Sequence, residues 1–462
     1  MKTVIMAGGK GTRISSVASD IPKPMIKICG KPVLEHEIEC LRDQGFTDII
    51  LTVSYLSHFI MDYFGDGSKI SPATGKSFGV NIEYFVEETP LGNAGALFKI
   101  KDKLIDSITG DEDFLLLNAD SVFDIDFKRI VKYHKEKGGL VTLFTHPNSH
   151  PYDSGLIMTD GDNAVTKWLT KEDERDEFYK NRVNAGLHVL STKLIFGIEE
   201  ALTGKTSDVC GIDKDKFSSI DLNGKIDLDR QILKPVCGSG KVFAYDSPEY
   251  VKDMGTPDRY EAVCRDFENG VVKAKNLTSK QKAIFLDRDG TINKEVSFLT
   301  DINQLELLPG AASAIKKINE SGYLAIVITN QPVIARGDVT YEELDLIHKK
   351  LETLLGKEGA YIDGLYYCPH HPHSGFEGEV KELKIKCECR KPAAGMLYTA
   401  AKDFNIDLSK SYMIGDRATD VGCGKNGGCK TVFITGTVED EGFGQDYTVD
   451  SLLEAVNIIL EQ

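Results

Sequence analysis

The stretch Ala283-Ile284-Phe285-Leu286-Asp287-Arg288-Asp289-Gly290-Thr291 runs from four apolar residues straight into two carboxylates and a glycine. A short apolar run with polar flanks suits a buried strand. Side chains alternate along a strand, so Asp287 and Asp289 share one face at its carboxyl end. One such carboxylate can attack phosphorus while the other handles the leaving group's proton. The plainer alternative is an Asp-Gly turn between two strands. Three later clusters favour chemistry. Ile328-Thr329-Asn330 ends a second apolar run, and Arg390-Lys391-Pro392 supplies cations. Ile414-Gly415-Asp416-Arg417-Ala418-Thr419-Asp420 sets further carboxylates after a third. Ligands of open parallel sheets bind outside the carboxyl ends of the strands, so these clusters belong at one mouth.

Between Asn330 and Lys391 lie Cys368-Pro369-His370-His371-Pro372-His373 and Cys387-Glu388-Cys389-Arg390. Two closely spaced pairs of soft ligands suit tetrahedral zinc. The alternative is reduced surface thiols beside unrelated histidines. Cys368, His370, Cys387 and Cys389 form the expected set, with His371 and His373 in reserve. Four protein ligands close the shell, so the zinc is expected to be structural.

The same alternation of short apolar runs and helical patterns fills the rest of the chain. Residues 2–7, 48–53 and 114–117 are expected strands, and 31–44 an expected helix with Gly45 as its stop. Further strands are expected at 324–329, 412–414 and 431–434. The pattern predicts an α/β protein with mostly parallel sheets covered by helices. Its 462 residues exceed one ordinary core. The polar, aperiodic residues 267–281 are the expected linker between a domain at 1–266 and a second at 282–462.

The first expected strand enters Ala7-Gly8-Gly9-Lys10-Gly11-Thr12-Arg13. Its glycines let the backbone approach a ligand and aim N–H groups at it. Arg13 and Lys23, the latter between Pro22 and Pro24, add positive charge there. A glycine-rich turn that binds nothing is the alternative. Asp120, in Leu117-Asn118-Ala119-Asp120-Ser121, is placed to hold Mg²⁺ against phosphate oxygens, or else to cap a helix. Asp253, before Met254-Gly255-Thr256-Pro257, is a second acid for that cation.

Composition bounds the partners. Hydrophobic residues are 41%, charged residues 27%, and the net charge is −16. That charge argues against a broad nucleic-acid footprint. No stretch approaches the roughly 20 apolar residues of a membrane span, and the opening apolar run is too short for a signal peptide. A cytoplasmic location is expected, no membrane partner is expected, and homo-oligomerisation is left open. Seven of the ten cysteines are scattered and read as reduced thiols.

Residues 1 to about 265 resemble the sugar-1-phosphate nucleotidyltransferase family. The resemblance rests on the GGxGTR opening at residues 8–13 and on Lys23-Pro24. It continues through Pro90-Leu91-Gly92-Asn93-Ala94-Gly95-Ala96-Leu97, Asp120, Asn184-Ala185-Gly186 and Asp253. It implies that Ala7, Gly8, Gly9, Gly11, Thr12 and Gly92 bind the nucleotide and that Arg13 holds the leaving pyrophosphate. By it Lys23 steadies the charge at the α-phosphate or the incoming phosphate, Asp120 and Asp253 bind Mg²⁺, and Asn184 and Gly186 meet the sugar phosphate. The family's Glu-Lys-Pro before this last motif is replaced by Leu169-Thr170-Lys171-Glu172, which leaves Lys171 as the cation.

Residues 281 to about 460 resemble the haloacid-dehalogenase phosphatases. Within them the zinc loop is similar to that of D-glycero-D-manno-heptose 1,7-bisphosphate phosphatases; histidinol-phosphate phosphatases share it. The resemblance implies Asp287 as nucleophile and Asp289 as acid and then base. It places Thr329 and Lys391 on the phosphoryl group, and Asp287, Asp416 and the Asp289 carbonyl on Mg²⁺. Asn330, Arg336 and Arg390 are expected near the sugar phosphate. The family's TNQSGIARG reads here Thr329-Asn330-Gln331-Pro332-Val333-Ile334-Ala335-Arg336-Gly337, with a stiffer centre. The two resemblances together imply two Rossmann-like α/β domains, a mixed sheet followed by a parallel one. They also imply GTP and phosphorylated heptoses as substrates of an enzyme that makes GDP-heptose.

Overall fold

The computed structural model describes residues 1–8, 21–105, 110, 112–439 and 441–462. Gly9, Gly11, Thr12 and Arg13 lie outside the described residues. The chain forms two compact units. The first holds residues 1–145, 155–170 and 184–273; the second holds 146–154, 171–183 and 274–462.

In the first unit the described residues build a nine-stranded mixed sheet. Strand Lys2–Met6 lies parallel to Asp48–Val53 on one side and to Asp113–Asn118 on the other. Val183–Ser191 runs antiparallel to Asp113–Asn118. The central strands read as continuous apolar runs because both faces are covered. Val4, Ile50 and Leu116 pack into one core, while Ile5, Leu51 and Leu117 pack into the other. The expected helix from residue 31 begins at Val33. Lys31–Pro32 instead pairs with Lys27–Ile28, since Pro32 disfavours helix at the residue before it. A two-strand antiparallel ladder, Ser121–Asp124 with Tyr250–Asp253, sets Asp253 opposite Ser121, next to Asp120.

Within residues 267–281, helix Pro257–Glu268 ends and a short helix, Val271–Ala274, follows. Val271 and Val272 are buried against Val263 and Tyr250, so this stretch is packed rather than loose.

The second unit carries a six-stranded sheet in the order Gly364–Cys368, Tyr323–Asn330, Lys282–Leu286, Tyr412–Gly415, Lys430–Ile434, Tyr447–Val449. All of its pairings are parallel. Lys282–Leu286 sits between Tyr323–Asn330 and Tyr412–Gly415, so the three strands release their chains at the same sheet edge. Ile284 and Leu286 face one core, Ala283 and Phe285 the other. The expected mixed and parallel sheets are both present. Among the described residues no helix is long and apolar enough to cross a membrane.

Candidate active sites

The three central strands of the second unit deliver Asp287, Thr329 and Asp416 to one edge. Lys391 comes to them from the loop after Cys387 and Cys389. Its Nζ lies 2.7 Å from Asp287 Oδ1, 2.6 Å from Asp420 Oδ1 and 2.9 Å from the Ile328 carbonyl. All three charged residues are buried. Burial, then the Asp420 charge, pushes the Asp287 carboxyl up to about 7 against the pull of Lys391. Burial also raises Asp420. Lys391 is raised too: burial opposes its charge, but both carboxylates outweigh that.

Asp416 is fully buried; among the described residues neither oxygen has a partner at full hydrogen-bonding geometry, and Thr437 is the side chain that approaches it. Burial and the Asp287 charge lift it to about 6. A Cβ on Gly290, whose φ is +80°, would run into this carboxylate. Asp287, Asp416 and Asp420 offer oxygens within 4.8 Å of one another. Three buried carboxylates, two of them sharing one ammonium, need more positive charge to be ionised together. A divalent cation fits that need and the buried Asp416 carboxylate.

Asp289 differs. Burial raises its carboxyl, but Arg288, Asn293 and Gln331 together hold it below the ordinary range. Arg288 Nη2 and Gln331 Nε2 each lie 2.8 Å from Oδ2. Gln331 also donates to Thr329 Oγ1 at 2.9 Å, joining the two side chains. Asn330 and Lys391 exchange side-chain and backbone bonds at 3.0 and 3.1 Å. A cavity of about 500 Å³ opens over these groups, lined also by Arg390, Arg417 and His371. Arg336 lies against the cavity-lining Phe298: its guanidinium is 4.0 Å from the Phe298 ring centre and 4.5 Å from that of Phe376, and pairs with Asp338 at 2.7 Å. Arg417 and Glu295, an ion pair at 3.0 Å on the cavity wall, and the Asp420 contact to Lys391 were not singled out from the sequence.

Cys368, His370, Cys387 and Cys389 converge. The Sγ of Cys389 lies 3.1 Å from that of Cys368 and 3.3 Å from that of Cys387, and His370 Nδ1 lies 3.3 Å from it. Cys368 Sγ is 3.6 Å from both Cys387 Sγ and His370 Nδ1. Four soft atoms at such mutual distances fit a tetrahedral shell around one ion. His371 and His373 stay outside this set, His371 Nδ1 meeting the His373 carbonyl at 3.0 Å. Arg390, next to Cys389, donates to the His370 carbonyl at 3.1 Å. The cluster therefore fixes the start of the loop that presents Lys391.

In the first unit the Ala7 N–H is tied to the Thr52 carbonyl at 2.8 Å, and Gly8 follows at the strand end beside Ser54. Buried Lys23 meets the half-exposed Asp120 at 3.0 Å. Asp253 accepts from Arg259 Nη1 at 2.7 Å and from the Gly255 N–H at 2.8 Å. Burial raises the Asp253 carboxyl, but these donors hold it below its usual value. Arg259 was not legible in the sequence. Gly92, at φ +79°, lies against the Ile226 backbone, and Asn93 accepts from the Leu228 N–H at 2.7 Å. Gly186, at φ +74°, leaves no room for a Cβ beside the Asn118 side chain. Asn184 Oδ1 accepts from the Gly186 N–H at 3.4 Å. Residues 184–186, at the start of strand Val183–Ser191, thus stand next to the end of strand Asp113–Asn118, two residues before Asp120. Lys171 is exposed and packs with the second unit.

Comparison with known proteins fits two centres. Residues 2–269 match the family model described as nucleotidyl transferase, and residues 388–455 match one described as HAD-hyrolase-like. D-glycero-beta-D-manno-heptose-1,7-bisphosphate 7-phosphatase of Haemophilus ducreyi is 37% identical over 181 residues, 38% of this chain and 97% of that protein. The protein of the same name from Escherichia coli K12 is 37% identical over 185 residues, 39% of this chain and 94% of that protein. Among solved structures, HddC from Yersinia pseudotuberculosis shows 26% identity and a TM-score of 0.43, covering 58% of this chain and 99% of that chain.

Asp287→Asn keeps the size of the side chain and removes its nucleophilic charge. It is expected to stop phosphate release, while nucleotidyl transfer to a supplied sugar 1-phosphate stays within about twofold, as separate sites should. Loss of both activities in a folded variant would contradict two independent centres.

Proposed function

The chain belongs to the nucleotidyl transferase family and also carries a phosphatase of the haloacid-dehalogenase type, and on that premise we propose that its two sites act in succession on one sugar. The C-terminal site removes the 7-phosphate of D-glycero-D-manno-heptose 1,7-bisphosphate. The heptose 1-phosphate left behind is the acceptor for the N-terminal site, which joins it to the guanylyl group of GTP and releases pyrophosphate as GDP-heptose forms. The observation that carries this proposal is the likeness to the heptose bisphosphate phosphatases over nearly their whole length, in the same chain as a nucleotidyl transferase. GTP is chosen because it is the donor expected to accompany such a phosphatase.

At the C-terminal site an Asp287 oxygen bonds to the 7-phosphorus, and the bond from phosphorus to the sugar oxygen breaks. Asp289 gives that oxygen its proton. It then takes one from the water that attacks the aspartyl phosphate and restores Asp287. Its depressed pKa suits the second role, and a bound phosphate dianion would favour its protonation for the first. Lys391 and the Thr329 hydroxyl hold the phosphoryl oxygens, and Arg390 and Asn330 frame the sugar phosphate. At the N-terminal site an oxygen of the sugar phosphate attacks the α-phosphorus, and the bond to the leaving pyrophosphate breaks. No protein nucleophile is needed; alignment and charge do the work. Lys23 neutralises charge there, the backbone at Ala7 and Gly8 and the turn at Gly92 seat the nucleotide, and Asn184 and Gly186 seat the acceptor. Mg²⁺, when bound, spreads the phosphate charge and aligns the oxygens. Asp287 and Asp416, with the Asp289 carbonyl, would hold it in one site, and Asp120 and Asp253 in the other. Zinc on Cys368, His370, Cys387 and Cys389 is structural, and the enzyme works in the cytoplasm.

Two measurements test this. Elemental analysis of freshly purified protein is expected to give about one zinc per chain, retained after Mg²⁺ is stripped; protein free of zinc would defeat the structural site. Heptose 1-phosphate incubated separately with GTP, ATP, CTP and UTP is expected to give a nucleotide sugar with GTP well ahead of the others. Preference for another triphosphate would overturn the choice of donor, and no product with any would overturn the acceptor.

A further inference from the structure

The stretch Gln331-Pro332-Val333-Ile334-Ala335-Arg336-Gly337 departs from the pattern of the phosphatases it resembles, and the catalytic steps above leave its arginine without a task. Its backbone forms one compact turn. The Arg336 N–H donates to the Pro332 carbonyl at 3.0 Å, and the Asp338 N–H to the Val333 carbonyl at 2.9 Å. Pro332 and buried Val333 line the phosphatase cavity. Arg336 is not among the described residues that line it, but Phe298, against which it lies, is.

The guanidinium is the centre of a stack. It lies 4.0 Å from the Phe298 ring centre and 4.5 Å from that of Phe376, and its Nε donates to Asp338 at 2.7 Å. The Phe376 end is anchored. Lys384 Nζ stands 4.4 Å from the Phe376 ring centre and pairs with Glu379 at 3.5 Å. Glu379 accepts from the Gly375 and Phe376 N–H groups at 2.9 and 3.0 Å. The Val380 N–H donates to the Ala335 carbonyl at 3.1 Å, which ties this segment to the turn bearing Arg336.

Phe298 is 41% exposed. Its backbone is set from the other side: the Ser297 N–H donates to Glu295 Oε1 at 2.5 Å, and Glu295 pairs with Arg417 at 3.0 Å. Ser297 has a φ of +67°, which a non-glycine residue keeps only where its surroundings impose it. A fixed backbone still leaves a ring its rotamers. A guanidinium stacked on the ring selects among them, and a flexible ammonium does so less well. The ring so held is part of the cavity wall beside Asp287 and Asp289, where an aromatic surface suits the apolar C–H face of a sugar.

We propose that Arg336 is a positioning residue for the phosphatase site, holding the Phe298 ring where the sugar of the substrate packs and contacting neither phosphate. The assignment deepens the sugar-bisphosphate reading given above and rests on it.

The test is steady-state phosphate release by full-length Arg336→Ala, Arg336→Lys, Phe298→Leu and the Arg336→Ala/Phe298→Leu double variant. Heptose 1,7-bisphosphate, heptose 7-phosphate and acetyl phosphate, which has no sugar, serve as substrates. Arg336→Ala is expected to raise KM about tenfold for both heptose phosphates, with kcat/KM for acetyl phosphate within about twofold, as a lost stacking contact would. Arg336→Lys should recover only part of the loss. The double variant should be little worse than Phe298→Leu, because both changes act through one ring. A KM that rises for the bisphosphate and not for heptose 7-phosphate would mean that Arg336 meets the 1-phosphate itself, and would overturn the proposal. So would an unchanged KM, additive losses, or a parallel fall on all three substrates with melting temperature. If the unaltered enzyme hydrolyses acetyl phosphate and no heptose phosphate, the substrate reading fails instead. Fluorescence of Phe298→Trp then decides the stacking alone, since the one native tryptophan, Trp168, is buried. Removing Arg336 in that background should increase acrylamide quenching about twofold, and unchanged quenching overturns the stack.

Discussion

One buried ammonium organises the C-terminal centre. Lys391 satisfies Asp287, Asp420 and the Ile328 carbonyl at once, and without it two carboxylates would stay buried and uncompensated. Removing one partner of a buried charged group costs about 3–5 kcal/mol, so the arrangement persists only if the loop bearing Lys391 is held. The Cys368–His370–Cys387–Cys389 cluster stands directly before that loop, and Arg390 ties it to the His370 carbonyl. The Cys/His cluster, Lys391 and Asp287 thus form a chain of dependence that begins outside the cavity.

The same logic recurs, more openly, in the first unit. Lys23 lies buried between prolines and faces Asp120. Asp253 is brought beside it by a two-strand ladder and is held by Arg259. Each acid has a cation near it. The phosphatase carboxylates are sealed among one another, whereas Asp120 remains half exposed. That contrast matches the proposed chemistry: one site forms a covalent bond to a carboxylate, while the other only aligns two substrates.

Much of this was legible in the sequence because strands covered on both faces are written as unbroken apolar runs. Residues 283–286 and 324–329 announced themselves, as did the polar clusters at their ends. That Cys368, His370, Cys387 and Cys389 would cluster was legible from spacing alone. What escaped depends on distant partners or on side-chain direction. Asp420 reaches Lys391 from the first turn of helix Ala418–Gly427, which no period reveals. Arg336 lies between Phe298 and Phe376, rings from two separate loops. Arg259 meets Asp253 across the turn into a helix. Least visible were residues 146–154 and 171–183: their local pattern carries no sign that they pack with a helix more than 150 positions away.

The central claim is that one chain performs both steps, with the phosphatase product serving as the transferase acceptor. Mass spectrometry of the products from purified protein, Mg²⁺, GTP and heptose 1,7-bisphosphate as the sole sugar tests it most directly. The account predicts GDP-heptose carrying no 7-phosphate, with inorganic phosphate and pyrophosphate released alongside. Phosphate released with no nucleotide sugar, or a nucleotide sugar that still carries the 7-phosphate, would contradict it.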